Sequence, residues 1–446
     1  MGLKRGRFAG VRMLLILVAM VAMLLAALPV SAPMLAQDAA DRDVAVQAKR
    51  AALKVDPGTA LLPESVTIAG SGFSAGAKGK LTLMPGNRAL GQIKADKKGR
   101  FTRTVSLPDV PSGSYTVTAK AKGKSASAKL KISNPPGGPV ALGGFTSGLP
   151  SSLGRLDSFE TTIGRPVRVV MWFQAWQGGN QTLDITQLNA IASRGAMPMI
   201  TWEPFDPYGG VDQPLYALDA LCSLPGSLTP SFYDPYIDDW ATRLANWGKP
   251  VLLRFAHEMN GNWYPWAEQV NGNQPGDYIA SWNCVRARFA AKGASNVQWV
   301  WSPNVDYPGA TPFSQVFPGD AAVNWVALDG YNFGTTRPGQ TWKSFATIFS
   351  GSIHLLDLMS NRPMMIGETA SAEQGGSKAG WITDALLRQI PLTFPQVRAL
   401  VWFNVDKEAD WRITSSKSAR DAFTAAVNHP YWNATLPAAA NGWPVP

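Results

Sequence analysis

Residues 250–266 read Pro-Val-Leu-Leu-Arg-Phe-Ala-His-Glu-Met-Asn-Gly-Asn-Trp-Tyr-Pro-Trp. A short apolar run that gives way to charged residues and then to Asn, Gly and Pro has the form of a buried strand entering a loop. His257 and Glu258 therefore stand at a strand's carboxyl end, with Trp263, Tyr264 and Trp266 on the loop beyond. Similar apolar runs lie on both sides, at Val140–Phe145, Val167–Phe173, Met197–Trp202, Val297–Trp301, Trp325–Tyr331, Met364–Gly367 and Val397–Phe403. Amphipathic helical stretches fall between most of them: 152–163, 185–194, 233–247, 277–292, 345–360, 381–390 and 419–429. The crossover at 306–324 is rich in Pro and Gly and reads as a loop. Eight buried strands with helical crossovers over about 300 residues describe an α/β fold, a (β/α)8 TIM barrel, spanning 140–436.

The text before the barrel has a different period. From Val55 to Ser133, short runs such as Ser65-Val-Thr-Ile-Ala and Ser114-Tyr-Thr-Val-Thr-Ala alternate apolar and polar residues between Gly, Pro, Asp and Asn. This predicts a small all-β sandwich at 55–133. Its short motifs Gly70-Ser-Gly-Phe73, Asp96-Lys-Lys-Gly-Arg-Phe101 and Gly113-Ser-Tyr115 resemble bacterial immunoglobulin-like modules. Asn134-Pro-Pro-Gly-Gly-Pro139 is a linker between the two, residues 37–54 are a linker before the sandwich, and 437–446 are a tail.

Residues 1–36 combine Lys4, Arg5, Arg7 and Arg12 with an apolar run from Met13 to Val30 and the small residues Val30-Ser31-Ala32. That is the pattern of a secretory signal peptide, and an extracellular protein is expected. An uncleaved membrane anchor is the alternative, because about 18 apolar residues can just span a bilayer. In an oxidising compartment Cys222 and Cys284 can pair, or they can stay as buried thiols.

The formal net charge is +10, but it is unevenly spread. Residues 51–134 hold 14 Lys/Arg against four Asp/Glu, whereas 135–446 hold 20 against 24. The basic sandwich is expected either to contact a cell-wall polymer or other anionic glycan, or to serve as a solvated spacer. Nucleic acid is not expected, since the aromatic residues are concentrated elsewhere. The chain has 17 Trp, an excess that suits carbohydrate contact, and a monomer is expected.

Active sites of such barrels lie at the carboxyl ends of the strands. Those ends offer Trp202-Glu203, His257-Glu258, Trp299 and Trp301, Asp329-Gly-Tyr331-Asn332, Gly367-Glu368-Thr369 and Trp402-Phe403-Asn404. Carboxylates and aromatics dominate. Two carboxyl groups roughly 5–5.5 Å apart hydrolyse a glycoside with retention, one protonating the leaving oxygen while the other attacks the anomeric carbon. Glu258 and Glu368, on strands four and seven across the mouth, form the natural pair. Tyr331 stands beside Glu368, and His257 and Arg254 can orient carboxylates or sugar hydroxyls. Trp402 is expected as a platform under the cleaved sugar, with a core residue at the top of the barrel as the alternative. Trp172, Trp176 and Trp202 suit subsites or core equally, and Glu203 suits substrate contact or a salt bridge. A His-Glu-x-x-His zinc motif needs His at 261, where Gly stands, and only three His occur. No metal or cofactor is expected.

Arg254-x-x-His257-Glu258-Met259-Asn260-Gly261-x-Trp263-Tyr264-Pro265-Trp266, with Ile366-Gly367-Glu368-Thr369, resembles glycoside hydrolase family 26, mostly endo-β-1,4-mannanases and some β-glucanases. The resemblance implies that Glu258 is the acid/base, Glu368 the nucleophile, Trp263 a subsite aromatic and Tyr331 the support of the nucleophile. It implies a retaining hydrolase cleaving internal β-1,4 linkages of a mannan-type polysaccharide. A β-1,3-1,4-glucanase, an exopolysaccharide-processing hydrolase and a non-catalytic carbohydrate-binding barrel tethered to the wall are the alternatives.

Overall fold

The computed structural model describes residues 50–437 apart from 62–64, 109, 134–137 and 180. The expected signal peptide, most of the segment 37–54, the first four residues of the Pro/Gly linker and nearly all of the tail lie outside the described residues. Among the described residues no helix is long and apolar enough to cross a membrane.

Eight strands come first: β1 (Ala52–Asp56), β2 (Thr59–Leu61), β3 (Ser65–Ser71), β4 (Lys78–Met84), β5 (Arg88–Lys94), β6 (Phe101–Ser106), β7 (Gly113–Ala121) and β8 (Lys124–Ser133). They make a three-stranded sheet in the order β1-β3-β6 and a five-stranded sheet in the order β2-β8-β7-β4-β5. Period-2 alternation sends Val66 and Ile68 of one sheet, and Leu81, Leu83 and Val117 of the other, into one shared core. The first strand begins at Ala52, inside the segment expected to be linker. Two inward side chains, Leu53 and Val55, are too little alternation to be read as a strand, and pairing of Ala52–Asp56 with Thr67–Ser71 supplies what local pattern did not.

The second unit is a closed barrel of parallel strands: β9 (Ala141–Phe145), β10 (Val169–Ala175), β11 (Met197–Glu203), β12 (Val251–Phe255), β13 (Val297–Trp301), β14 (Trp325–Asn332), β15 (Met364–Ser371) and β16 (Val397–Phe403). Parallel strands covered on both faces read as continuous apolar runs, which is why the sequence marks them. Pairing of β16 with β9 closes the circle. Gly143 sits at that closure, where a Cβ would fall 2.8 Å from Val401 Cγ2 and 2.9 Å from Val169 Cβ. Neighbouring strands could not approach so closely around any larger residue.

Two elements differ from the sequence reading. Strand seven was expected to stop at Gly367 but runs to Ser371, so Glu368 lies within β15, where register shifts interrupt its pairing with β14 and β16. The helix expected over 381–390 is Lys378–Asp384, followed by a π-helical stretch at Ala385–Gln389 and a last turn at Ile390–Thr393. Pro391 enters at that last turn, and its ring cannot continue a regular α-helical hydrogen-bond ladder. The 306–324 crossover is mostly loop, with single turns at Phe313–Val316 and Asp320–Ala322. Cys222 and Cys284 form a disulfide. It ties the long loop after β11 to the helix Asp277–Ala291.

Candidate active site

Glu258 is placed by an unusual stretch of backbone. The chain leaves β12 through Ala256 (φ 44°) and Glu258 (φ 52°), both in the left-handed region that non-glycine residues rarely occupy. Three backbone bonds hold it: Ala256 N–H to Trp202 O at 3.0 Å, Glu258 N–H to Ser302 O at 2.7 Å, and Gly261 N–H to Glu258 O at 3.0 Å. Positive φ at a reactive residue persists only where such bonds over-determine it. The side chain accepts from Trp263 Nε1 at 2.7 Å on one oxygen and from Asn304 Nδ2 at 2.8 Å on the other. Trp263 reaches back because Gly261 has no Cβ, which would lie 2.6 Å from the indole. Burial, then the charge of Glu368, pushes the Glu258 carboxyl up to about 7, against the pull of the two hydrogen bonds and Arg254.

Glu368 is buried opposite. Tyr331 donates its hydroxyl to Oε2 at 2.5 Å, and Arg254 Nη2 donates to Oε1. Arg254 is fully buried, with Nη1 on Asp329 at 2.8 Å and Nε on Thr201 Oγ1 at 2.9 Å. One guanidinium thus bridges two carboxylates, and a buried Arg without such partners would be costly. Gly367 makes the bridge possible: a Cβ there would lie 2.6 Å from Asp329 Oδ1 and 3.4 Å from Arg254 Nη1. Burial raises Tyr331 far above its ordinary range, as do the charge of Glu368 and the hydrogen bond to it. The phenol stays protonated and remains a donor.

His257 Nε2 lies 4.0 Å from Glu368 Oε1. Burial, then the Arg254 charge, holds its imidazole well below the ordinary range, so it is neutral. Its ring packs on Tyr264 and Trp266 at centroid distances of 4.9 and 5.9 Å. The carboxyl of Glu203 is buried. Burial pushes it up to about 8, with Arg254 and Lys407 opposing and Glu368 and Glu258 adding.

Arg254, His257, Glu258, Trp263, Tyr331 and Glu368 therefore converge, with Glu203 close enough to feel both paired carboxylates. Two expected residues do not join them. Trp402 is fully buried; its Nε1 donates to Trp411 O at 3.0 Å and its ring packs on Phe423 and Trp381 of the outer helices. Trp202 is likewise buried against Trp240 and Phe289. Both point outward, because alternate strand residues face opposite sides. Their neighbours Phe403 and Glu203 take the other side, and Phe403 lies 5.7 Å from Tyr331. Trp172 and Trp176 are core as well.

Sequence reasoning missed Asp329 as the second partner of Arg254, Asn304 as a donor to Glu258, and Tyr307, whose ring stacks on Trp263 at 5.9 Å. Asn304 carried a signal, since it follows β13 by three residues in Trp301-Ser-Pro-Asn304. Trp263 is 39% exposed, open to a ligand that the fully buried Trp266 cannot meet.

Residues 172–366 match the family model described as "Glycosyl hydrolase family 26". The match includes Glu258 and Tyr331 and stops just before Glu368. Among curated relatives, "Endoglucanase H" of Acetivibrio thermocellus is 36% identical over 322 residues, covering 67% of this chain and 33% of that protein. A mannan endo-1,4-beta-mannosidase of Bacillus subtilis is 32% identical over 100 residues, covering 21% of this chain and 27% of the other. The chain thus spans about a third or less of the length of these relatives. Among solved structures, the catalytic domain of an endo-beta-1,4-mannanase from Bacillus sp. JAMB-750 superposes with a TM-score of 0.50 at 18% identity, over 67% of this chain and 88% of that one. At that identity the likeness is one of fold.

Proposed function

We propose that the barrel of this chain, similar to glycosyl hydrolase family 26 over residues 172–366, is a retaining endo-β-glycanase working by double displacement. Glu258, raised to about 7 so that a large fraction keeps its proton near neutral pH, gives that proton to the leaving glycosidic oxygen. Glu368, held by the Arg254 guanidinium and the Tyr331 hydroxyl, attacks the anomeric carbon and forms a glycosyl-enzyme ester. Glu258, now a carboxylate, takes a proton from water, which attacks the same carbon and releases Glu368. The observation that carries this reading is the asymmetry of the two carboxyls. One is raised by burial and its neighbour's charge; the other is clamped by a cation and a phenol.

Trp263 and Tyr307 offer a stacked aromatic platform beside the acid, and His257 and Glu203 offer polar groups to sugar hydroxyls. The backbone we favour is a β-1,4-linked glucan, because the relative matched over two thirds of the chain is an endoglucanase while the mannanases match over about 100 residues. A mannan is the second reading, carried by the resemblance of the 254–266 motif. Export by the 1–36 segment would place the enzyme where such polymers occur.

The test is incubation of the full chain with barley-type mixed-linkage glucan, carboxymethylcellulose, glucomannan and mannan, beside Glu368→Ala. New reducing ends and a first product of retained anomeric configuration by proton NMR are expected. No reducing ends from any substrate, undiminished activity of Glu368→Ala, or an inverted first product would each overturn the reading.

A further inference from the structure

The outward face of the five-stranded sheet is built almost wholly from lysine, serine and threonine. Leu81, Leu83, Val117 and Ala119 point into the core, so the alternate residues of β4 and β7 point out. Lys78, Lys80, Lys94, Lys120, Lys129 and Lys131 are all exposed on this face. Thr82, Thr116, Thr118, Ser125 and Ser127 fill the spaces between them. Register brings like charges into direct opposition: Lys80 pairs with Lys120 across β4 and β7, and Lys78 with Lys94 across β4 and β5. Directly opposed like charges destabilise a sheet. None of the six makes an ion pair among the described residues. Asp96, the one acidic side chain described within 65–133, is turned to the β5–β6 loop, bonded by Lys98 N–H and Arg100 N–H.

Protection of sheet edges against aggregation does not account for this pattern. Lysines blunt edge strands, but Lys78, Lys80 and Lys120 lie on the interior strands β4 and β7, and Lys131 on the part of β8 that β2 covers, so only Lys94 and Lys129 stand at an edge. A concavity of about 490 Å³ opens over Lys78, Lys80, Lys120, Lys122 and Lys124. The cluster therefore carries a repulsion that an external anion would relieve. No aromatic ring lies on the outward positions of these strands, so neither neutral sugars nor stacked bases find a platform. Among the described side chains the only large apolar group there is Met84 at one corner, too little to enter a bilayer.

We propose that this face binds an acidic polysaccharide in extended form, its recurring carboxylates meeting the lysine ammonium groups and its hydroxyls the intervening Ser and Thr. The choice of a polysaccharide rests on the glycanase reading: holding an acidic polymer that occurs beside the neutral substrate raises the barrel's effective concentration there. Lysine suits such a partner better than arginine, since compact rotatable ammonium groups can follow an irregular row of carboxylates without bidentate geometry.

The experiment measures retardation of the full chain in native gels containing polygalacturonate, with neutral glucan, double-stranded DNA and anionic phospholipid vesicles as separate arms. Lys80→Gln/Lys120→Gln is compared with the unaltered chain. Expected are retention on polygalacturonate that falls as salt rises from 50 to 500 mM, as about one Debye length shrinks to a few ångströms, and at least tenfold weaker binding by the double variant. Thermal melting keeps a folding defect distinguishable: removing an opposed like-charge pair should leave the melting temperature unchanged or higher. The same measurement with Glu368→Ala reads binding without hydrolysis, so that a failure of the catalytic assignment leaves this result standing. Equal retention of the double variant, no retention on polygalacturonate, or equal retention by DNA or vesicles would overturn the proposal.

Discussion

Glu258 sits between opposed influences, and each can be removed singly. Burial and Glu368 raise its carboxyl to about 7, while Asn304 and Trp263 lower it. The acid must carry its proton when the bond breaks, so kcat/KM should fall about tenfold per pH unit above roughly pH 7. Asn304→Ala removes a bond to the ionised form, and the alkaline limb should move to higher pH; a stopped-assay pH profile on a chromogenic oligosaccharide reads it. Glu203 gives a stability prediction. Its folded-state value of about 8 lies above the ordinary 4.5, so the folded protein holds a proton that the unfolded chain releases between those values. Stability from this group is present at low pH and lost as pH rises through about 8. Glu203→Gln stays neutral throughout, so its melting temperature relative to the unaltered chain should be higher at pH 8 than at pH 5. Each kcal/mol corresponds to about 2–4 °C in a unit of this size. Neither residue's state was legible from its letter: a Glu at a strand end can be an acid, a substrate ligand or a salt-bridge partner, and only its neighbours decide.

At the scale of elements, strand parity separates Trp402 from Phe403. Both end β16, one ring entering the helix layer and the other approaching Tyr331. Trp402→Ala should therefore cost about 3–5 kcal/mol of stability in urea unfolding, while KM of the folded fraction stays within about twofold; a sugar platform would show the reverse. The existence of β10, β11, β12 and β16 was legible because buried parallel strands are uniformly apolar. That same uniformity hides which face each residue takes. The Cys222–Cys284 bond was open in the sequence for a related reason, since 62 residues separate the two and no local pattern reports their approach. Replacing both with Ser should lower stability by about 2–4 kcal/mol and speed proteolytic cleavage of the loop after β11, seen by limited digestion and mass spectrometry.

For the whole molecule, charge is unevenly divided along the chain. Residues 51–134 are strongly basic while 135–446 carry 24 Asp/Glu against 20 Lys/Arg. Hydrolysis of a neutral oligosaccharide engages a buried site and should vary less than twofold between 50 and 500 mM salt, whereas retention on an acidic polymer should collapse over the same range. The two salt profiles, measured on one preparation, test whether binding and cleavage are separate properties. What the sequence by itself determined is the strand order of the barrel and the candidacy of Glu258 and Glu368. Those follow from periodicity and from residues adjacent in the chain. The tertiary structure decided what depends on distance in space: the Arg254 bridge between Asp329 and Glu368, the Asn304 and Trp263 bonds that tune Glu258, the outward turn of Trp202 and Trp402, and the opposed lysines of the sandwich. Burial, hydrogen-bond partners and cross-strand register arise only when strands far apart in sequence close on one another, and these are the quantities that set a carboxyl's charge or leave a lysine without a counter-ion.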